Sequence, residues 1–179
     1  MGCEDILEID KSVALFVGGT RSGKSDLAAA WLARYALDGT YIATLGDIDG
    51  ARARVERHRE RRPQWLKTME LASGDDLIGL IDSAVGPLLV DSLGTWLVRF
   101  SDFGAPVARL VESLGNSRVP VAVVAEIVGE GVHPPDADSM RFVDALGELT
   151  AAVRVVASEA YLVVAGATVS LVEPRWDDK

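Results

Sequence analysis

The sequence predicts an α/β fold, a central and mostly parallel sheet flanked by helices, and three observations carry that expectation. Short unbroken apolar runs at residues 13–17, 88–90 and 121–125 have the composition of strands buried on both faces, which need no polar alternation. Segments of helical periodicity lie between such runs, and a strand–helix–strand order favours parallel crossovers. The first run passes through a glycine pair straight into a helical segment.

In chain order, residues 1–12 are acidic and read as an N-terminal extension, with residues 13–179 as one domain. After the strand at 13–17, Leu27, Trp31, Leu32 and Tyr35 mark one face of a helix over 24–37, and Gly39 stops it. Residues 40–43 read as a short strand, 49–61 as a highly charged helix closed by Pro63, and 65–71 as another strand. A helix over 75–84 places Leu77, Ile78 and Ile81 inward. The runs at 88–90 and 121–125 end in acids, Asp91 and Glu126. A helix over 139–156 and a strand pair at 161–164 and 169–172 around Gly166 complete the expectation.

Bulk properties narrow the function. The chain has 179 residues, of which 49% are apolar, enough for one core. A net charge of −9 leaves no global positive field for nucleic acid or an anionic membrane, so anions must be held locally. No apolar run approaches the roughly 18 residues of a membrane span. Cys3 is a single cysteine, and Ile6 stands where an acylation signal at Gly2 needs Ser or Thr. The start lacks a basic stretch followed by an apolar one, so the expected address is cytoplasmic.

Gly18-Gly19-Thr20-Arg21-Ser22-Gly23-Lys24-Ser25 fits the Walker A pattern between a strand and a helix. The glycines let backbone N–H groups turn inward, and the helix N-terminus adds its positive end. Lys24 is positioned by this pattern to neutralise β- and γ-phosphates, and the Ser25 hydroxyl to hold Mg²⁺. A metal site of this kind needs an acid at the end of an apolar strand. Asp91 supplies one and is the candidate for it, the alternative being an Asp that only caps a helix beginning near Leu93. Glu126, at the end of the next strand, has the same two readings.

Arg52, Arg54, Arg57, Arg59, Arg61 and Arg62 crowd one segment of an acidic protein. On a helix, Arg54, His58 and Arg61 or Arg62 share a face. One account is a solvated helix in which Glu56 and Glu60 offset the charge. The other makes His58 a nucleophile, because neighbouring cations favour its neutral form and stabilise charge on a phosphorus under attack. His133 precedes Pro134 and Pro135 and reads as part of a rigid turn.

Taken together, these segments resemble the bifunctional adenosylcobinamide kinase/adenosylcobinamide-phosphate guanylyltransferase family. The matching pieces are the Walker A loop, Tyr41-Ile42-Ala43-Thr44, Arg57-His58-Arg59-Glu60-Arg61-Arg62-Pro63-Gln64-Trp65, Thr68-Met69-Glu70, Leu88-Leu89-Val90-Asp91-Ser92-Leu93 and Leu162-Val163-Val164-Ala165-Gly166. The resemblance implies a RecA-like P-loop NTPase domain and a homotrimer. It implies phosphorylation of adenosylcobinamide by ATP or GTP, then transfer of GMP from GTP through a guanylylated histidine, aligned with His58. It assigns nucleotide contacts to Gly18 through Ser25, to Ile42, Ala43 and Thr44, to Arg59, Glu60, Arg61 and Arg62, and to Glu70 and Asp91, with Mg²⁺ at Ser25 and Asp91.

The second half departs from the family. Where it shows Asn-Glu-Val-Gly-x-Gly-Ile-Val-Pro, this chain reads Ala125-Glu126-Ile127-Val128-Gly129-Glu130-Gly131-Val132-His133-Pro134, the connection over 100–119 is short, and Thr150 replaces an Asn. Two other functions fit the P-loop: a diverged kinase or nucleotidyltransferase acting on another small molecule, and a nucleotide-binding regulator without turnover. Intact Lys24, Ser25, Asp91 and His58 weigh against the regulator.

Overall fold

The computed structural model describes residues 12–45, 62–74, 76–131, 134 and 136–173. Seven strands form one sheet: β1 (Val13–Gly18), β2 (Gly39–Ala43), β3 (Leu66–Glu70), β4 (Leu88–Asp91), β5 (Val121–Glu126), β6 (Glu159–Val164) and β7 (Ala167–Ser170). Their order across the sheet is β3-β2-β4-β5-β1-β6-β7. Neighbours pair parallel throughout except β6 with β7, which is antiparallel. The sheet is the expected mostly parallel one.

Helices cover both faces, which is why the central strands read as unbroken apolar runs. On one face lies α1 (Lys24–Leu32), whose Ala28, Trp31 and Leu32 pack with Ala14, Phe16 and Val124. On the other lie α2 (Asp76–Asp82), α3 (Leu93–Leu97), α4 (Val107–Gly115) and α5 (Ala137–Val156). Their Leu77, Trp96, Leu114 and Leu149 meet Leu15, Val90 and Val123. Trp96 is fully buried and its indole N–H donates to Gly74 O at 2.7 Å, so α3 is anchored by a large apolar body with its polar handle satisfied. Each buried leucine of this layer contributes about 1.5–3 kcal/mol.

Several boundaries differ from expectation for local reasons. The helix predicted to run to residue 37 ends at Leu32, because the N–H groups of Arg34 and Tyr35 bond three residues back, to Trp31 O and Leu32 O, and tighten the last turn. Tyr35 still packs on Trp31 at 4.9 Å between ring centres, while Leu37 is left exposed. Ser12 is buried, and its hydroxyl bonds the Tyr35 hydroxyl at 2.7 Å.

α5 begins at Ala137, two residues before the expected start, because Asp136 accepts the Ser139 N–H at 2.8 Å as its N-cap. That N–H, with the Ser139 hydroxyl, holds the Asp136 carboxyl below its ordinary range. The last strand spans Ala167–Ser170 instead of 169–172, since Ala165 and Gly166 both take positive φ (51° and 80°) and close a two-residue hairpin turn. The short 100–119 connection holds a 3₁₀ turn at Ser101–Phe103 and α4, a helix the sequence reading left out. The helix expected over 49–61 and residues 1–11 of the extension expected over 1–12 lie outside the described residues.

Candidate active site

The C-terminal ends of β1, β4 and β5 border the candidate site. β1 delivers Gly18 at a place where only glycine fits, since a Cβ would sit 2.4 Å from Val163 O on β6. The loop then turns through two left-handed residues, Arg21 (φ 60°) and Gly23 (φ 97°), the second being the N-cap of α1. The first helical bond runs from Leu27 N–H to Gly23 O at 3.1 Å, so the N–H groups ahead of it have no intrahelical partner. The β6–β7 turn braces the loop: Gly166 N–H donates to Ser22 O at 2.8 Å. Lys24 is buried across the loop, its Nζ donating to Gly19 O at 2.9 Å.

β4 delivers Asp91. Its Oδ2 accepts the Ser25 hydroxyl at 2.8 Å and the Tyr41 hydroxyl, joining the first turn of α1 to β2. Asp91 does not cap α3. Ser92 is the N-cap, and its own N–H is taken by Thr44 Oγ1 at 2.6 Å and Thr95 Oγ1 at 3.2 Å. Of the two sequence readings of Asp91, the structure therefore favours the one that leaves its carboxylate at the cradle.

Burial, and then the negative charge of Asp91, push the Tyr41 phenol well above its ordinary range, so it stays protonated and donates. Over its ring lies the Arg62 guanidinium, 4.4 Å from the centroid, with Nη1 donating to Thr68 Oγ1 at 3.3 Å. Tyr41 thus connects the end of the arginine-rich segment to Asp91.

β5 delivers Glu126. Its carboxylate accepts the Ser92 hydroxyl and, at 3.1 Å, the Gly94 N–H. The cleft bounded by these groups has a volume of about 540 Å³ and is lined by the loop from Thr20 to Ser25, by Tyr41, Ala43 and Arg62, and by Asp91 and Glu126. That is the size of a small-ligand site.

The other expected residues fall into four groups. Gly18 ends β1 and Gly19 opens the loop, and neither lines the cleft. Ile42 and Thr44 do not face the cleft: Ile42 packs into the core on the opposite face of β2, and Thr44 is buried, tying β2 to β4 through Ser92 and accepting Arg99 Nε–H at 2.6 Å on its carbonyl. Burial lowers the Arg99 pKa from its ordinary value. Glu70 ends β3 beside Ala43 and is exposed. His58, Arg59, Glu60 and Arg61 lie outside the described residues, as does His133. Tyr41, Ser92, Thr95 and Gly166 were not foreseen as site residues. Tyr41 had a signal, since period-2 alternation puts it on the face of Ala43.

Residues 14–171 match the family described as cobinamide kinase / cobinamide phosphate guanyltransferase. The chain is 36% identical over 148 residues to the bifunctional adenosylcobalamin biosynthesis protein CobP of Pseudomonas aeruginosa, covering 78% of this chain and 85% of that one. It is 28% identical over 180 residues to the bifunctional adenosylcobalamin biosynthesis protein CobU of Escherichia coli, covering 88% and 98%. Among solved structures, an ATPase from the type III secretion system of pathogenic bacteria aligns with a TM-score of 0.54 at 12% identity, over 89% of this chain. This chain spans 57% of that ATPase chain, and the likeness shows the fold alone. Among the described residues, no helix is long and apolar enough to cross a membrane. On the match over residues 14–171 and the resemblance to CobP, the chain belongs to the cobinamide kinase / cobinamide phosphate guanyltransferase family.

Proposed function

We propose that this one cleft runs both reactions of the cobinamide kinase and guanylyltransferase, with His58 as the covalent carrier of GMP. The observation that carries the reading is the Asp91 carboxylate, which meets the Ser25 hydroxyl of the cradle and, through Tyr41, the Arg62 end of the arginine-rich segment. Arg62, four residues after His58 in sequence, lines the same cleft as the cradle. Ser22 Oγ, buried and without a hydrogen-bond partner among the described residues, is a donor that a phosphate oxygen satisfies.

In the kinase step, the aminopropanol hydroxyl of adenosylcobinamide bonds to the γ-phosphorus of ATP or GTP, and the bond from that phosphorus to the β-bridging oxygen breaks. In the second, an imidazole nitrogen of His58 bonds to the α-phosphorus of GTP and pyrophosphate leaves. The phosphate of adenosylcobinamide phosphate then displaces the imidazole, giving adenosylcobinamide-GDP. Lys24 leaves Gly19 O for the phosphates in both halves, and Arg62 offsets charge at the phosphorus under attack.

Ser25 Oγ and the Asp91 carboxylate are hard oxygen donors side by side, suited to Mg²⁺ with phosphate oxygens and water completing its shell. When bound, the ion neutralises charge on the phosphates. Asp91→Asn keeps an oxygen for Ser25 or Tyr41 but removes the charge. Turnover is expected to fall on the order of 100-fold, with higher Mg²⁺ needed and little change in melting temperature. Unchanged turnover across a magnesium titration argues against Asp91 as a ligand. The assembly we propose is a cytoplasmic homotrimer, as the family resemblance implies.

The reading is tested by supplying adenosylcobinamide with triphosphate labelled at one position at a time. Label from the γ-position should appear in adenosylcobinamide phosphate, and label from the α-position of GTP in adenosylcobinamide-GDP. Phosphorylation without any α-label in product removes the guanylyl half of the proposal.

A further inference from the structure

We propose that Glu126 is the base of the kinase step, accepting the proton of the hydroxyl that attacks the γ-phosphorus; the inference rests on the two-reaction reading above. β5 lies between β1 and β4, so its terminal carboxylate emerges between the phosphate cradle and Asp91. In register, Glu126 stands opposite Gly18, where the cradle begins.

The carboxylate is held by neutral donors, the Ser92 hydroxyl on Oε1 and the Gly94 N–H on Oε2. Room for it is made by Gly94, where a Cβ would stand 2.6 Å from Oε2. An ionised carboxylate has about four lone-pair sites. Two bonds therefore leave acceptor capacity on a side chain that lines the cleft.

The other carboxylates lining the cleft among the described residues are less suited. Asp91 Oδ2 is taken by Ser25 and Tyr41 at the metal position, and Asp26 is exposed on the first turn of α1. Glu126 also meets the N-terminal turn of α3 through Ser92 and Gly94, whereas the loop from Gly18 leads into α1.

The chemistry separates this role from that of a structural clamp. As the hydroxyl oxygen bonds to the γ-phosphorus, the nucleoside diphosphate leaves with the electron pair of the broken P–O bond, and the O–H proton passes to the Glu126 carboxylate. The other nucleophiles need no such base: the substrate phosphate is already anionic and the imidazole attacks through a lone pair. A base at Glu126 therefore matters to one reaction, whereas a clamp on Ser92 and Gly94 matters equally to both.

The test is the full-length Glu126→Gln protein, assayed for phosphorylation of adenosylcobinamide and, separately, for GMP transfer to ready-made adenosylcobinamide phosphate. The ratio of kinase to transfer rate is expected to fall on the order of 100-fold, in kcat and not in the nucleotide KM. An unchanged ratio, whether both rates hold or both collapse, overturns the proposal. Should Glu126→Gln fail to fold, Glu126→Asp keeps a carboxylate one methylene shorter and should lower the ratio on the order of tenfold; equal losses in both assays again overturn it. Wild-type protein that transfers GMP but phosphorylates no adenosylcobinamide defeats the parent reading before any variant is made.

Discussion

Lys24→Ala is expected to lose kinase and guanylyltransferase activity together, each by a factor on the order of 1,000, in a protein that still folds. The chain offers one Walker A loop, and its ammonium is the fixed cation of the cradle, buried and parked on Gly19 O at 2.9 Å. On the proposal that each reaction binds its own triphosphate in this one cradle, charge develops at the γ-phosphorus in one and at the α-phosphorus in the other, so removing the cation withdraws transition-state stabilisation from both. The cost to folding is small by comparison. One side-chain bond to a loop carbonyl is worth about 1 kcal/mol, and the glycine geometry and the Gly166 brace do not involve the lysine. Steady-state rates for the two half-reactions, beside a melting curve, check the expectation. Normal guanylylation by folded Lys24→Ala protein would mean that the two reactions use separate sites.

The strand–loop–helix turn around the glycine loop was legible because it is local. Consecutive residues from Gly18 to Ser25 supply the turn, the N–H groups, the lysine and the hydroxyl, and a strand and a helix on either side fix their direction. Asp91 was legible as one of two alternatives, since position at a strand end is a sequence property but the competing capping role is decided by neighbours. Thr44 and Thr95 take the Ser92 N–H, and this leaves Asp91 to the cradle.

What escaped the sequence was whatever depends on parts of the chain brought together by the sheet. Gly166 braces Ser22 across more than a hundred residues of sequence, and nothing near either position announces it. Ile42 and Thr44 were grouped with Ala43 by motif, yet Ile42 turns into the core and Thr44 ties β2 to β4, leaving Ala43 to line the cleft. α4 escaped although Leu110 and Leu114 stand one helical turn apart, because two apolar positions in a short connection make only a weak helical period.

His58 carries the central claim, that a nucleophile from the arginine-rich segment shares the cradle's nucleotide. Arg62, at the end of that segment, lines the cleft and stacks on the tyrosine that holds Asp91. The most direct measurement is incubation of the protein with GTP and Mg²⁺, labelled in turn at the α- and γ-positions, followed by denaturation. The account predicts that α-label stays with the protein and γ-label does not, because attack at the α-phosphorus expels pyrophosphate. It further predicts an acid-labile, base-stable phosphoramidate that maps to His58 and is absent from His58→Ala, which still binds GTP. No α-label on protein shown to bind GTP, or an adduct mapping to another residue, would contradict the account.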